Sequence, residues 1–124
     1  MSNLNFYRPK TIEEAKELLC EKGENARMLA GGTDLVGTIH EKILPQKIDE
    51  IVALKDIPGV IGITEKNGYI EIGAMTTLSD IDRNAIIREK LPILADAAKT
   101  VASPQIRHKA TIGGNICQEP RCWY

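Results

Sequence analysis

Two glycine pairs carry most of the chemistry this sequence offers. The first lies in Met28-Leu29-Ala30-Gly31-Gly32-Thr33-Asp34-Leu35-Val36-Gly37, which reads as a short apolar strand, Arg27 to Ala30, entering a glycine turn and then a helix capped by Thr33 or Asp34. Glycine lets the backbone take positive φ and approach a ligand closely, and the first N–H groups of a helix have no partner within it. A phosphate or pyrophosphate supplies that partner, and the helix dipole favours its charge. A βα turn that uses glycine for geometry alone fits this segment equally well. The second pair lies in Ala110-Thr111-Ile112-Gly113-Gly114-Asn115-Ile116, where a β-leaning apolar segment again meets two glycines and a short polar side chain. Two such loops can clasp one long ligand. A diphosphate with a sugar or polyol on each side would span them, with backbone N–H donors and side-chain contacts from Thr33, Thr111 and Asn115. Neither loop continues into Lys-Ser or Lys-Thr, and neither fits Gly-x-Gly-x-x-Gly, so nucleoside triphosphate hydrolysis is not expected.

The remaining reactive side chains point to less. Cys20, Cys117 and Cys122 are an odd number of cysteines in a chain without an export signal, which argues for free thiols. Cys20 is expected to pack on a helix. Cys117 and Cys122 are too few to hold a cluster or a closed zinc site alone, and His40 and His108 belong to no metal-ligand spacing. No metal site is therefore expected. Arg107 and Lys109 flank the second loop, where they either neutralise phosphates or stay solvated.

The elements that must position the glycines follow a βαβ rhythm in the first half. Phe6-Tyr7 starts a strand, Pro9 breaks it, and Thr11-Ile12-Glu13-Glu14 is a capping box opening a helix to about Lys22, with Gly23 as its stop. Ile12, Ala15, Leu18 and Leu19 supply the buried face. Leu35 to Ile43 is the next helix, with Leu35, Ile39 and Ile43 on one side; Pro45 ends it before an extended segment within Lys47 to Leu54. Alternating strands and helices imply parallel pairing, so residues 1–55 should form a small α/β layer with the glycine turn at a strand's C-terminal end, where open α/β sheets bind ligands. From residue 56 the pattern changes. Val60 to Thr64 and Tyr69 to Gly73 flank Glu65-Lys66-Asn67-Gly68, a hairpin with an Asn-Gly turn. Thr77 or Ser79 caps a short helix near Leu78 to Arg83, a second piece covers Ala85 to Glu89, and Pro92 starts a longer one to about Ala102 with Leu91, Leu94, Ala98 and Val101 on its apolar side. The fold class is α+β: a small parallel βαβ layer in residues 1–55, then an incomplete antiparallel sheet with helices in residues 56–124.

Composition bounds the rest. The 124 residues are one domain's worth of chain, and a net charge of −1 gives no general attraction to nucleic acid or anionic lipid, so any anion site must be local. The N-terminus lacks a signal-peptide pattern and no apolar run approaches ~18 residues, which leaves the cytoplasm, with no membrane span, as the expectation.

Three blocks carry a family resemblance: Ala30-Gly31-Gly32-Thr33-Asp34-Leu35, then Ile72-Gly73-Ala74-Met75-Thr76-Thr77-Leu78, then Gln105-Ile106-Arg107-His108-Lys109-Ala110-Thr111-Ile112-Gly113-Gly114-Asn115-Ile116. In this order they resemble the FAD-binding subunits of molybdenum hydroxylases, the family of xanthine dehydrogenase, carbon monoxide dehydrogenase and 4-hydroxybenzoyl-CoA reductase. The resemblance implies two subdomains with FAD between them, as in p-cresol methylhydroxylase and vanillyl-alcohol oxidase. It implies that the amides of Gly31, Gly32, Thr33 and Asp34, next to Ala30, hold the pyrophosphate and that Leu35 lies near the isoalloxazine. Gly73, Ala74 and Thr77 would line the cofactor, and Thr111, Gly113, Gly114 and Asn115 would close the second side. No catalytic acid or base is implied: the flavin would pass electrons between iron–sulfur centres and NAD or another acceptor, beside molybdopterin-binding and iron–sulfur subunits.

Such subunits are more than twice as long, so the chain resembles the front part of one, not active alone. Beyond Ile116 they commonly continue with small residues and an acidic residue, where this chain has Cys117-Gln118-Glu119-Pro120-Arg121-Cys122-Trp123-Tyr124. An unfinished sheet leaves an open edge, so a homo-oligomer is expected, with Trp123 as an anchor or the tail packed against a missing half. Two other readings stay open: an apo interaction module that keeps the fold without flavin, and a binder of a different nucleotide diphosphate.

Overall fold

A computed structural model of the chain describes residues 4–43 and 47–120. The first layer is a parallel sheet of β1 (Asn5–Tyr7), β2 (Ala26–Leu29) and β3 (Glu50–Ala53), in the order β1-β3-β2. Phe6 pairs with Ile51 on one side of the centre strand and Arg27 with the same residue on the other. Helix α1 (Ile12–Lys22) links β1 to β2 and starts where the sequence indicates: Thr11 Oγ1 accepts from the Glu14 N–H at 3.1 Å, while the Glu14 carboxylate accepts from the Lys10 N–H at 2.7 Å. Gly23, at φ 61°, ends it. Ala15 is buried against Val52 and Ile57, and Leu18, Leu19, Tyr7, Leu54 and Val60 pack around them. Ile12 is not part of this face; in the first turn, it stays 48% exposed.

Helix α2 (Leu35–His40) is shorter than its apolar spacing suggests. Lys42 takes φ 54°, Ile43 is exposed, and the buried residue is Thr38 rather than the Leu35, Ile39 and Ile43 stripe. Pro45, expected to end the helix, lies outside the described residues, as do Arg121, Cys122, Trp123 and Tyr124.

The second layer opens with an antiparallel hairpin of β4 (Ile63–Lys66) and β5 (Tyr69–Ile72). Its two-residue loop has Asn67 at φ 52° and Gly68 at φ 79°, the left-handed pair that matches the twist of the strands. The first strand sits later than the apolar run implied, because Val60 to Gly62 instead grip the chain beyond β5: Met75 N–H donates to the Val60 carbonyl at 2.8 Å and Gly73 N–H to that of Gly62 at 2.9 Å. Ile63, Ile70 and Ile72 face a core of Leu78, Ile81, Ile87, Ala95, Ala98 and Ala110. That core is built by α3 (Leu78–Arg83), α4 (Ala85–Lys90) and α5 (Pro92–Thr100), with Thr77 and Asn84 capping the first two. Ala95, not the half-exposed Leu91, completes the buried side of α5. Two further helices form where a polar lead and a β-leaning loop were expected: α6 (Pro104–Arg107), capped by Ser103, and α7 (Ile112–Ile116), capped by Thr111. All that remains strand-like there is an antiparallel bridge between Thr77 and Thr111. Among the described residues no helix is long and apolar enough to cross a membrane.

Candidate functional site

The two glycine pairs meet at one cavity. Its volume, about 470 Å³, falls in the range of small-molecule pockets. Ala30, Gly31, Gly32, Thr33, Asp34 and Leu35 line it from the parallel layer, and Ala74, Thr111, Gly113, Gly114 and Asn115 from the antiparallel one. Of the residues singled out in the sequence, Gly73 and Thr77 lie outside the lining. Gly73 passes so close to the Val60 carbonyl that a β-carbon there would sit 2.5 Å from its oxygen. Thr77 caps α3 and donates its hydroxyl to Asp80 Oδ2 at 2.6 Å.

The first glycine turn is open to a ligand. The N–H groups of Gly31, Gly32 and Thr33 donate to no acceptor among the described residues. Gly32 has φ 76°, the left-handed conformation that turns the backbone at the end of β2. Asp34 takes the position before α2 but with φ −101° and ψ −55°, and its side chain does not cap the helix; nor does Thr33. The Asp34 carbonyl instead accepts from Thr38 N–H at 3.0 Å and from Thr38 Oγ1 at 2.9 Å.

The second pair is built differently, and the expectation of two amide cradles fails there. Gly113 N–H donates to the Ala74 carbonyl at 2.8 Å, Gly114 N–H to Thr111 Oγ1 at 3.2 Å and Asn115 N–H to the Thr111 carbonyl at 2.9 Å. These donors are consumed by the cap and by the crossing of α7 over Ala74. The glycines serve contact instead: a β-carbon on Gly113 would lie 2.8 Å from the Ala74 oxygen. What this side offers a ligand is the Asn115 amide, whose side chain bonds to no described residue.

Residues the sequence reading missed complete the walls: Thr38 and Leu54 on one side, Val101, Ala102 and Ile106 on the other, and Cys117, Gln118 and Glu119 beyond α7. Thr38, Ile106 and Cys117 lie in or within four residues of the quoted blocks, whereas nothing local marks Ala102. Arg107 and Lys109 do not line the cavity; Arg107 Nη1 donates to the carbonyls of Val101 at 2.8 Å and Ala102 at 3.1 Å. Cys20 is on α1 but on its exposed side, so it does not pack.

Comparison with known proteins decides the family. Residues 2–121 match the family described as the FAD binding domain in molybdopterin dehydrogenase. The chain belongs to that family. This FAD-binding domain is 38% identical over 111 residues to the carbon monoxide dehydrogenase medium chain of Hydrogenophaga pseudoflava, covering 90% of the domain and 38% of the relative. It is 39% identical over 117 residues to the nicotinate dehydrogenase FAD-subunit of Eubacterium barkeri, covering 94% of the domain and 39% of the relative. A solved carbon monoxide dehydrogenase from Hydrogenophaga pseudoflava that lacks the Mo-pyranopterin moiety superposes with a TM-score of 0.87 at 36% identity, covering 92% of this chain and 39% of that one. The domain thus spans about two-fifths of the length of the relatives it matches, and its α+β architecture is the fold of p-cresol methylhydroxylase-type FAD domains.

The donor set of the FAD-binding domain suits its family's cofactor. Three consecutive unspent amides match a diphosphate, and Met28, Leu35, Leu54, Met75, Val101 and Ile106 give the same cavity an apolar lining for a ring system.

Proposed function

We propose that this domain holds FAD between its two layers, as the flavin-binding part of a molybdenum-hydroxylase-type oxidoreductase. The run of unspent amides from Gly31 to Thr33, facing a cavity closed on its far side by Ala74 and Asn115, supports this reading most strongly. Gly31, Gly32, Thr33 and Asp34 bind the pyrophosphate, Thr33 adds its hydroxyl, and Leu35 packs near the isoalloxazine. Asn115 closes the other side, and Gly113 and Gly114 let α7 approach. Bound FAD supplies the redox chemistry, moving electrons between iron–sulfur centres and NAD or another acceptor. The chain's own part is to bind, orient and shield; no side chain acts as acid or base.

The parallel layer, residues 1–55, and the remainder, 56–124, act as two FAD-binding subdomains. Molybdopterin-binding and iron–sulfur subunits are the proposed partners. Alone, the chain self-associates through the β4–β5 sheet, whose two strands leave backbone groups unpaired at its edges. Sedimentation at micromolar and higher concentrations checks this; a well-folded monomer sinks it. The flavin reading is tested by titrating the purified chain with FAD, following flavin fluorescence and heat. Saturable binding, competed by ADP, is the expected result. A folded protein that binds neither FAD nor ADP would instead be an interaction module, and one that prefers another nucleotide diphosphate would be redefined by it.

A further inference from the structure

Three non-glycine residues have positive φ among those described: Asn67, Lys42 and Ala102, the last at 41°. Asn67 makes the hairpin loop, and asparagine tolerates this conformation. Lys42 follows α2 on the exposed surface. Ala102 alone of the three lines the cavity. A left-handed alanine is disfavoured and persists only where its surroundings enforce it.

Arg107 bonds to this corner. Helix α5 ends at Thr100, Val101 turns to φ −69° and ψ 122°, and Pro104 restricts Ser103 to the extended form it shows, φ −98° and ψ 160°. Ser103 Oγ accepts from Ile106 N–H at 3.3 Å, which starts α6 at once. One turn later the Arg107 guanidinium reaches back and donates to the carbonyls on both sides of the bend, Val101 at 2.8 Å and Ala102 at 3.1 Å. Bonds from a charged donor are the stronger kind. Arg107 itself does not line the cavity, whereas Val101, Ala102 and Ile106, the residues it holds, do.

We infer that Arg107 is a positioning residue: it locks the Val101–Ala102 corner in its left-handed form and thereby sets the cavity wall that receives the flavin. The inference rests on the FAD reading. With the corner released, Ala102 relaxes to negative φ, the wall shifts and the cofactor binds less tightly.

The full chain tests this with two readouts, FAD affinity by fluorescence titration and thermal stability without flavin. Arg107→Ala is expected to weaken FAD binding on the order of tenfold, and Arg107→Lys, which keeps the charge but not the planar guanidinium fork, to recover part of that loss. Ala102→Gly removes the left-handed penalty, so Arg107→Ala should cost less in an Ala102→Gly background in both readouts. Equal losses in both backgrounds overturn the lock. A stability coupling with unchanged FAD affinity overturns the positioning role and leaves Arg107 structural. Wild-type chain that binds no FAD overturns the functional reading and the ligand half of this inference together, while the stability cycle still decides whether Arg107 holds the corner.

Discussion

Gly31 passes so close to Lys109 that a β-carbon on Gly31 would sit 1.9 Å from the Lys109 carbonyl oxygen and 3.1 Å from the Ala110 Cα. The two glycine-bearing segments are in backbone contact here, and the crossing brings both layers to one cavity. Since the obstacle is backbone, it cannot swing aside. Gly31→Ala should therefore destabilise the chain by about 1–3 kcal/mol, the usual cost of forcing atoms into a packed site. Urea unfolding checks this, and a variant as stable as the parent would mean the segments separate easily.

Gly32 and Gly114 should respond differently to the same substitution. At Gly32 the left-handed φ of 76° strains any alanine, and the turn it distorts carries the unspent amides. At Gly114 the amide already serves Thr111. Gly32→Ala is expected to lower FAD affinity roughly tenfold or more, for a backbone strain of about 1–3 kcal/mol, and Gly114→Ala to lower it less. The reverse ranking in a calorimetric titration would make the second pair the anion site.

Asn115 offers the separation of binding from folding. It lines the cavity, and its side chain bonds to no described residue. Asn115→Ala should leave the unfolding free energy measured in urea within about 0.5 kcal/mol of the parent while weakening FAD binding. Loss of stability with unchanged affinity would place Asn115 in the scaffold.

Asp56 gives the chain an acid-sensitive clasp. Hydrogen bonds from Arg8 and from Lys10 hold its carboxylate down at a pKa of about 2 and tie the segment after β1 to the segment after β3. A carboxylate whose folded pKa is depressed contributes stability that is complete above its unfolded pKa of about 3.9 and fades as the pH falls through the folded value. Asp56→Asn should lower stability at neutral pH, remove that part of the acid limb between roughly pH 4 and pH 2, and leave the shape of the neutral-to-alkaline profile unchanged. An identical acid limb in parent and variant would show that the clasp contributes nothing.

Much of the scaffold was legible because its signals act over a few residues. Thr11 with Glu14, Thr77 as one of two candidate caps, Pro92 at the first position of α5 and the Asn67-Gly68 loop each bond or bend within their own neighbourhood, and each element begins or turns there. Parallel pairing of β1, β2 and β3 followed from the same local rhythm, since strands joined through helices must run alike. The shortening of α2 was not legible: the spacing of Leu35, Ile39 and Ile43 describes a possible face, but whether that face finds anything to cover is a tertiary matter, and Ile43 finds nothing.

The candidate site divides along the same line. Sequence alone pointed to two glycine pairs, with Thr33, Thr111 and Asn115 beside them, as candidate groups for a phosphate-bearing ligand, because the backbone freedom of glycine and the donors of a side chain are properties of the residues themselves. Only the tertiary structure decided that Gly31 to Thr33 keep their amides while Gly113 and Gly114 spend theirs, since the competing acceptor for Gly113 is the Ala74 carbonyl, in the turn after β5 and far away in sequence. It likewise took Arg107, a candidate to neutralise phosphates, to the carbonyls of Val101 and Ala102 instead. A hydrogen bond is assigned by which acceptor arrives within reach, and that is fixed by how the layers pack, not by the donor's neighbours in the chain.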